Sequence, residues 1–263
     1  MKKHFQIIGV ITLIWFSFFC TEKTSLVIKN NDEIMIMINQ EKDKYNTQST
    51  NSIIDNDTII PGISGMSVNI EESYKKMKRI GSYNPTLYVY DTLKPDISVY
   101  NNYDKFIIGG NKKEMSVYFI FRFNNSENLK QVISILENNN VTASFLYDKV
   151  DKTLYEELKV LDKYDILVNQ STLDTKFNSN IYCYNKNKDF DFLDLCVSKK
   201  YFSILPEIYI NSNPYANIKN NLKPGLIVYL NINNNTLNEL QSVIDYLKSK
   251  GYIMHSITEL IDE

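Results

Sequence analysis

The chain has 263 residues, 43% of them hydrophobic, which is enough for one large domain or for a small and a medium domain with a buried core. Its 29 basic and 31 acidic residues are scattered and give a net charge of -2, so the sequence lacks the basic patch that nucleic-acid binding needs. A disulfide between Cys183 and Cys196 is possible, but their spacing does not establish it, and no metal-type cysteine spacing is present.

The first segment, residues 1–22, is predicted to be an uncleaved signal anchor. The basic start MKKH precedes the uncharged run IIGVITLIWFSFFC, and the region around Phe18 and Phe19 has no small residues in the A-x-A pattern of a cleavage site. A helix over residues 5–21 would span about 25 Å at about 1.5 Å per residue, close to a hydrocarbon core of about 30 Å. The basic flank predicts a single-pass protein in the cell membrane, with a cytoplasmic N-terminus and an extracytoplasmic C-terminal domain. A buried core helix and lipid attachment at Cys20 are the alternatives.

The sequence next predicts a stalk, residues 23–60, and a small α+β extension, residues 61–110. In the stalk, Asn31 or Asp32 would cap a helix over EIMIMINQEKDKY, and the polar stretch after that helix has no periodicity. In the extension, Asn69 is expected to cap a helix, with Glu72 as its reciprocal partner, and Gly81 to end it. The segments TLYVY, ISVY and KFIIGG are predicted strands that pack on the C-terminal half of the chain.

From Met115 onwards, predicted strands alternate with amphipathic helices. The strands include MSVYFIF, VTASFLY, DILVN and GLIVYL. Thr236 and Glu239 are predicted to form a capping box at the start of the last long helix, and Gly251 to end that helix. Short links between alternating elements predict an α/β fold with parallel strands and outer helices, either an open sheet or a barrel.

Two stretches of this half resemble the polysaccharide deacetylase (NodB-homology) family. SVYFIFRFNNSENLKQVISILENNNVTASFLYD is similar to the family's opening strand with T-F-D-D-G, its helix and its V-K-A-T-F-F strand. LKPGLIVYLNINNNTLNELQSVIDYLKSKGYIMHSITEL is similar to the closing unit, K-P-G-x-I-x-L-x-H, a helix, K-x-x-G-Y and a final strand. The resemblance spans about residues 115–260. It implies that residues 111–263 form a distorted (β/α) barrel with its site at the carboxyl ends of the strands.

The resemblance also implies a divalent metal held by an Asp and two His on an H-x-x-x-H spacing, another Asp as base and a late His as acid. None of these groups stands at the matching positions, which carry instead Phe121, Arg122, Phe123 and Asn124, then Asn169 and Leu173 or Gln170 and Asp174, and finally Asn231. The family's supporting Arg is missing near IYCYNKNK, and the single Trp is Trp15. His255, on the last strand, is expected to be structural.

We therefore expect a degenerate member of the family with no catalytic residue, no metal ligand and no cofactor. Its vestigial cleft would be lined by polar residues that could contact a ligand: Arg122, Asn124, Asn169, Gln170, Asp174 and Asn231. The first functional hypothesis is a membrane-anchored pseudoenzyme that binds cell-wall glycan. The alternatives are an active deacetylase that hydrolyses N-acyl bonds of amino-sugar polymers with a rearranged site, and a scaffold for another envelope protein.

Overall fold

The computed structural model describes residues 15–17, 27–123, 126–148 and 164–263. These residues fall into two compact units, one of residues up to 48 together with 65–93, the other of residues 49–64 together with 94–263. The predicted anchor over residues 5–21 lies outside the described residues, apart from the helical residues 15–17. Within the described ranges, no helix has both the length and the apolar character needed to cross a membrane.

Strands and helices are numbered along the chain. The strands are β1 (Ile53–Asp55), β2 (Thr58–Ile60), β3 (Gly65–Val68), β4 (Tyr90–Leu93), β5 (Phe106–Ile107), β6 (Ser116–Phe123), β7 (Ser144–Tyr147), β8 (Asp165–Val168), β9 (Ile181–Tyr184), β10 (Ser203–Ile204), β11 (Ile208–Ile210), β12 (Leu226–Ile232) and β13 (Ile253–His255). The helices are α1 (Glu33–Glu41), α2 (Ile70–Ile80), α3 (Ser126–Asn139), α4 (Phe190–Ser198), α5 (Pro214–Asn221), α6 (Asn234–Ser249) and α7 (Ile257–Ile261).

The first unit combines α1 and α2 with the antiparallel pair β3–β4. Its small core contains Ile34 and Ile38 from α1, Met77 from α2, Val68 from β3, and Tyr88. A core of this size buries little apolar surface, so the helix ends contribute a substantial part of the local stability.

Both predicted helices of this unit are confirmed at their caps. The side chain of Asp32 accepts from the backbone N–H of Ile34 at 3.0 Å, which starts α1. Asn69 accepts from the N–H of Glu72 at 3.0 Å, and Gly81, with φ of 86°, ends α2 in the left-handed conformation that glycine adopts readily.

The predicted reciprocal bond from Glu72 to the N–H of Asn69 is wrong. That N–H donates to the carbonyl of Val89 at 2.8 Å, so it has no need of a carboxylate. The Glu72 carboxylate instead accepts from Lys75 Nζ at 2.7 Å on the helix surface.

The second unit contains one sheet, with the strand order β1-β2-β5-β10-β9-β8-β7-β6-β12-β11, and β13 pairs with the beginning of β6. All neighbouring strands are parallel except the hairpin β1–β2. This hairpin lies in the part of the chain for which the sequence predicts a stalk. Residues 61–110, predicted as one extension, are divided between the two units.

The sheet curls because one short segment pairs with two distant parts of it. Residues 203–204 pair with β9, and residues 208–210, only four positions further along, pair with β12. Between them, Leu205 N donates to the carbonyl of Ile107 and Glu207 N to that of Ile227, at 2.9 and 3.1 Å. The row β6-β7-β8-β9 is thereby linked back to β12, as in the predicted distorted barrel.

Alternating side chains of β6 separate two hydrophobic layers. Phe119 and Phe121 belong to the layer packed under α3 and α6, whereas Tyr118 and Ile120 belong to the layer inside the barrel. The period of two along a strand therefore directs the next even-numbered residue, Arg122, toward the interior at the carboxyl end of β6.

Helix α6 begins earlier than the sequence predicts. Asn233 is the N-cap and accepts from the N–H of Thr236 at 3.2 Å, and the Thr236 hydroxyl accepts from the N–H of Asn233 at 2.9 Å. Thr236 is thus the inner member of the capping box, not its cap, because the asparagine three residues before it takes that place. Glu239 is left free of a capping role in α6.

Buried polar groups hold the amino end of the barrel, where α7 contributes Ile257, Leu260 and Ile261 to the interior layer. The carboxylate of Asp165, at the start of β8, accepts from the N–H and the hydroxyl of Thr258 at 2.7 and 2.6 Å. A buried carboxylate thereby satisfies a free N–H in the first turn of α7.

Glu259 strengthens the same helix start. Burial acts to raise its pKa, but His255, Thr142 and the N–H of Ser256 outweigh burial and lower the pKa to about 2. His255 Nδ1 lies 2.9 Å from Glu259 Oε1.

Glu263 ties three separate segments of the second unit together. Its Oε1 accepts from the Ser52 hydroxyl and the Gly62 N–H, and its Oε2 accepts from the Ser98 hydroxyl and the Val99 N–H. Only 5% of the residue is exposed, so the carboxylate depends on these donors rather than on water.

A disulfide joins Cys183 in β9 to Cys196 in α4, and both cysteines are fully buried. The pairing that the cysteine spacing alone does not establish is therefore present.

Candidate functional site

The carboxyl ends of the parallel strands form a barrel mouth, defined here by Arg122, Asp148, Tyr184, Tyr229 and Asn231, with Tyr209 beside them. Arg122 on β6 and Asn231 on β12 are direct register partners, so their side chains lie on the same face of the sheet. Asp148 directly follows β7, two residues beyond the inward-facing Leu146.

An ion pair occupies the centre of this mouth. Arg122 Nε lies 2.5 Å from Asp148 Oδ2, and only 24% and 18% of the two side chains are exposed. Burial acts to lower the pKa of Arg122, but the hydrogen bond and the charge of Asp148 raise it overall. The guanidinium is therefore a permanent cation, and its remaining N–H groups can donate to a ligand.

Tyrosine rings form one wall of the mouth. Tyr184 stacks on Tyr229 with centroids 5.4 Å apart, and Tyr209 is tilted against Tyr229 at 5.6 Å. Burial raises the pKa of all three hydroxyls, that of Tyr209 to about 12, so they stay protonated at neutral pH. Neutral phenols beside flat apolar rings can donate to hydroxyl groups and stack on the face of a ring.

Asn231 supplies an acceptor. Its Oδ1 is buried and has no hydrogen-bond partner among the described residues. Because an unpaired buried amide oxygen costs about 1–3 kcal/mol, a ligand hydroxyl or amide placed here would gain more than it would at the surface.

Asn169 and Gln170 contribute less to the mouth. Asn169 Oδ1 accepts from the N–H groups of Ser171 and Thr172 at 3.0 and 3.2 Å, which fixes the turn after β8, and its amide reaches the Asp148 carbonyl at 3.3 Å. Gln170 is exposed in that turn. Asn124 lies outside the residues that the structure describes.

Asp174 is not in the mouth. Its side chain is 92% exposed and lies 2.8 Å from Lys199 Nζ. Lys199 directly follows α4, the helix that returns the chain from the carboxyl end of β9 to the amino end of β10. The structure therefore places Asp174 on the exposed surface beside the end of α4.

The described residues do not fit the divalent metal that the family resemblance implies. The Arg122 guanidinium repels a cation, and the carboxylate of Asp148 is already neutralised by that arginine. In the described part of the chain, no group of three or more His, Cys, Asp or Glu side chains is placed to hold a metal ion.

Sequence reasoning missed Asp148 and the tyrosines Tyr184, Tyr209 and Tyr229. Asp148 ends the stretch VTASFLYD, directly after a predicted strand, and this position is a sufficient signal for a residue at the mouth. The tyrosines alternate with buried residues on their strands, a pattern that core residues also have, so no sequence signal distinguishes them from the core.

Comparisons with known proteins agree on the fold. No family model matches the chain. The uncharacterized protein YlxY of Bacillus subtilis is 31% identical over 127 residues, which make up 48% of this chain and only 40% of YlxY. A CE4 family pseudoenzyme from Bacillus anthracis is similar with a TM-score of 0.65 at 19% identity, over 89% of this chain and 96% of that chain. A mutant of that pseudoenzyme with restored enzymatic activity gives a TM-score of 0.65 at 18% identity, over 88% and 99% of the two chains.

The curled sheet with outer helices is thus the fold of CE4 proteins, the polysaccharide deacetylase class. The predicted deacetylase-type barrel is confirmed as a fold, and one of the structures that share this fold is a CE4 family pseudoenzyme.

Proposed function

We propose that this protein is a membrane-anchored, extracytoplasmic pseudoenzyme that binds envelope glycan in its barrel mouth without hydrolysing it. The observation that carries the proposal is the Arg122–Asp148 ion pair, in which Arg122 belongs to the stretch that matches the carboxylate-bearing T-F-D-D-G of the deacetylase pattern.

The chemistry of the mouth suits a neutral sugar. Arg122 and Asp148 largely neutralise each other, the partly exposed ring of Tyr184 offers an apolar face, and Asn231 Oδ1, unpaired among the described residues, accepts a hydroxyl or an amide N–H. Sugars combine apolar ring faces with many hydroxyls, so a site of this kind can bind them by stacking and by hydrogen bonds.

The same groups make poor hydrolytic machinery. A catalytic metal lowers the pKa of its bound water from 15.7 to about 7, which corresponds to about 12 kcal/mol in making hydroxide available. A neutral hydrogen bond from an amide or a phenol contributes only about 1 kcal/mol net. These residues can therefore orient a sugar, but they cannot activate water.

The disulfide supports an extracytoplasmic location, because buried disulfides form and persist mainly in oxidising compartments. The basic start and the apolar run over residues 5–21 support a single-pass anchor with the C-terminal domain outside. Membrane fractionation with and without carbonate, followed by protease added to intact cells, tests both points.

An active deacetylase is the alternative, and one observation favours it: a mutant of the Bacillus anthracis pseudoenzyme has restored enzymatic activity, so this fold can regain chemistry. Release of acetate from peptidoglycan or a chitooligosaccharide by the wild-type chain, abolished by a chelator, would support this alternative and contradict the pseudoenzyme.

Sedimentation with insoluble cell-wall polysaccharide tests the glycan-binding proposal. The full chain in detergent should sediment with purified wall material, and Tyr184→Ala, which truncates a partly exposed ring of the mouth, should weaken binding about tenfold. Tyr100→Ala is the matched control, because Tyr100 packs on Phe202 at the amino end of the barrel and is 46% exposed. Wild-type protein that stays in the supernatant, or equal retention of both variants, contradicts the proposal. Capture of an envelope protein without binding to purified wall would favour the scaffold hypothesis.

A further inference from the structure

An open, shallow groove of about 780 Å³ lies between helices α5 and α6 on the outer wall of the barrel. This volume lies within the range of about 300–1,000 Å³ that is typical of small-molecule sites. The groove is distinct from the mouth: its lining includes Tyr215, Glu239, Ser242, Asp245, Tyr246 and Ser249, none of which belongs to the mouth.

Two aromatic rings form its apolar surface. Tyr215 of α5 and Tyr246 of α6 meet edge to face with centroids 5.5 Å apart. The ammonium of Lys250 lies 5.8 Å from the centre of the Tyr246 ring, whereas 37% of Tyr215 is exposed. Tyr215 therefore offers the more accessible ring for a ligand to lie on.

Two carboxylates give the groove its charge. Glu239 Oε2 accepts from the N–H of Tyr215 at 3.1 Å, and Asp245 Oδ1 accepts from Gln241 Nε2 at 2.9 Å, so each side chain keeps a second oxygen for a ligand. Neither carboxylate has an ion-pair partner within the described part of the chain. Six residues separate them on α6, or about 9 Å along the helix axis.

We propose that this groove binds an amino sugar whose nitrogen carries no acyl group, such as a glucosamine unit within a glycan. Protonated amines of different sugar units lie against the carboxylates of Glu239 and Asp245, a sugar ring lies on Tyr215, and the hydroxyl groups of Ser242 and Ser249 contact the sugar hydroxyls. An N-acetylated unit has no positive charge and gains nothing from the two carboxylates.

The position of the groove suits a polymer that also enters the mouth. β11 leads through a short loop into α5, and β12, which carries Asn231, leads directly into α6. The Asn233 amide donates to the Asn211 carbonyl at 3.0 Å and holds the two connections together. The groove begins beside the mouth, yet its binding of an amino sugar does not depend on the proposed function of the mouth.

Calorimetric titration of the full chain in detergent tests the inference, with a glucosamine tetramer and its N-acetylated counterpart as probes in mildly acidic buffer. The deacetylated tetramer should bind at least tenfold more tightly, and this advantage should shrink toward 1 M salt, where the Debye length is about 3 Å.

The variant Glu239→Gln, Asp245→Asn should remove the preference, because it keeps the size of both side chains and the acceptor for the Tyr215 N–H. Glu207→Gln, which removes a surface carboxylate outside the groove, should keep it. Failure of the mouth would lower the affinity for both tetramers, whereas failure of the groove would change only their ratio. Equal wild-type affinity for the two tetramers, or a preference that 1 M salt or the double substitution leaves unchanged, would overturn the inference. The titration in 1 M salt uses the wild-type chain, so it tests the inference even if the double variant fails to fold.

Discussion

Replacement of Glu263 by alanine should destabilise the second unit by at least about 3 kcal/mol. The carboxylate accepts four hydrogen bonds, from the Ser52 and Ser98 hydroxyls and from the N–H groups of Gly62 and Val99. Each buried donor left without a partner costs about 1–3 kcal/mol, and water entering the space recovers part of the loss. For a unit of this size, the melting temperature should fall by about 6–12 °C.

Thermal unfolding followed by near-ultraviolet circular dichroism measures this effect, because Tyr103 stacks on Phe202 within the same unit. Glu207→Ala is the matched control: Glu207 pairs with Lys223 on the surface, where such a pair contributes at most about 1 kcal/mol. Glu263→Gln should fall between the two, since the amide keeps one acceptor oxygen. Equal melting temperatures for Glu263→Ala and Glu207→Ala would refute the reasoning.

Three further predictions concern stability. Replacing Cys183 and Cys196 together by serine should cost about 3 kcal/mol in denaturant unfolding, because the 13-residue separation closes a loop of that order; an unchanged midpoint under oxidising conditions would contradict the disulfide. Leu240→Ala removes a fully buried side chain and should cost about 2–5 kcal/mol, and a loss under 1 kcal/mol would contradict the packing of α6. The pKa of Glu259 is lowered in the folded chain from its ordinary 4.5 to about 2, so its stabilisation is complete above pH 4.5 and is lost as the pH falls toward 2. Glu259→Gln should flatten the acid limb of the stability curve, and identical limbs would exclude this role.

Much of the barrel is predictable from the sequence because its signals are local. Buried strands such as MSVYFIF and GLIVYL, joined by short links, indicate parallel strands, and the N-cap Asn69 and the Gly81 that follows α2 mark a helix without any tertiary information. The hairpin β1–β2 is not predictable in this way, because both strands have three residues and only pairing with β5 makes them part of the sheet.

The residues of the candidate site also differ in whether the sequence can predict their positions. Arg122 and Asn231 follow from alignment to a motif and from strand ends, and the structure makes them register partners. The motif also predicts Asp174 in the site, but in the structure this residue is exposed and forms a salt bridge with Lys199. No sequence pattern indicates that long-range pair. Glu239 shows the reverse case. It is predicted to be the capping-box partner of Thr236, but Asn233 is the N-cap, so the carboxylate of Glu239 has no capping role and can face the groove.

A crystal of the full chain soaked with an N-acetylglucosamine tetramer and zinc together tests the central claim most directly. The account predicts a sugar ring against Tyr184, a hydroxyl or amide within hydrogen-bond distance of Asn231 Oδ1, and the Arg122–Asp148 pair intact. An ordered zinc ion in the barrel mouth, bound by side chains of this chain and facing the N-acetyl group, would contradict it.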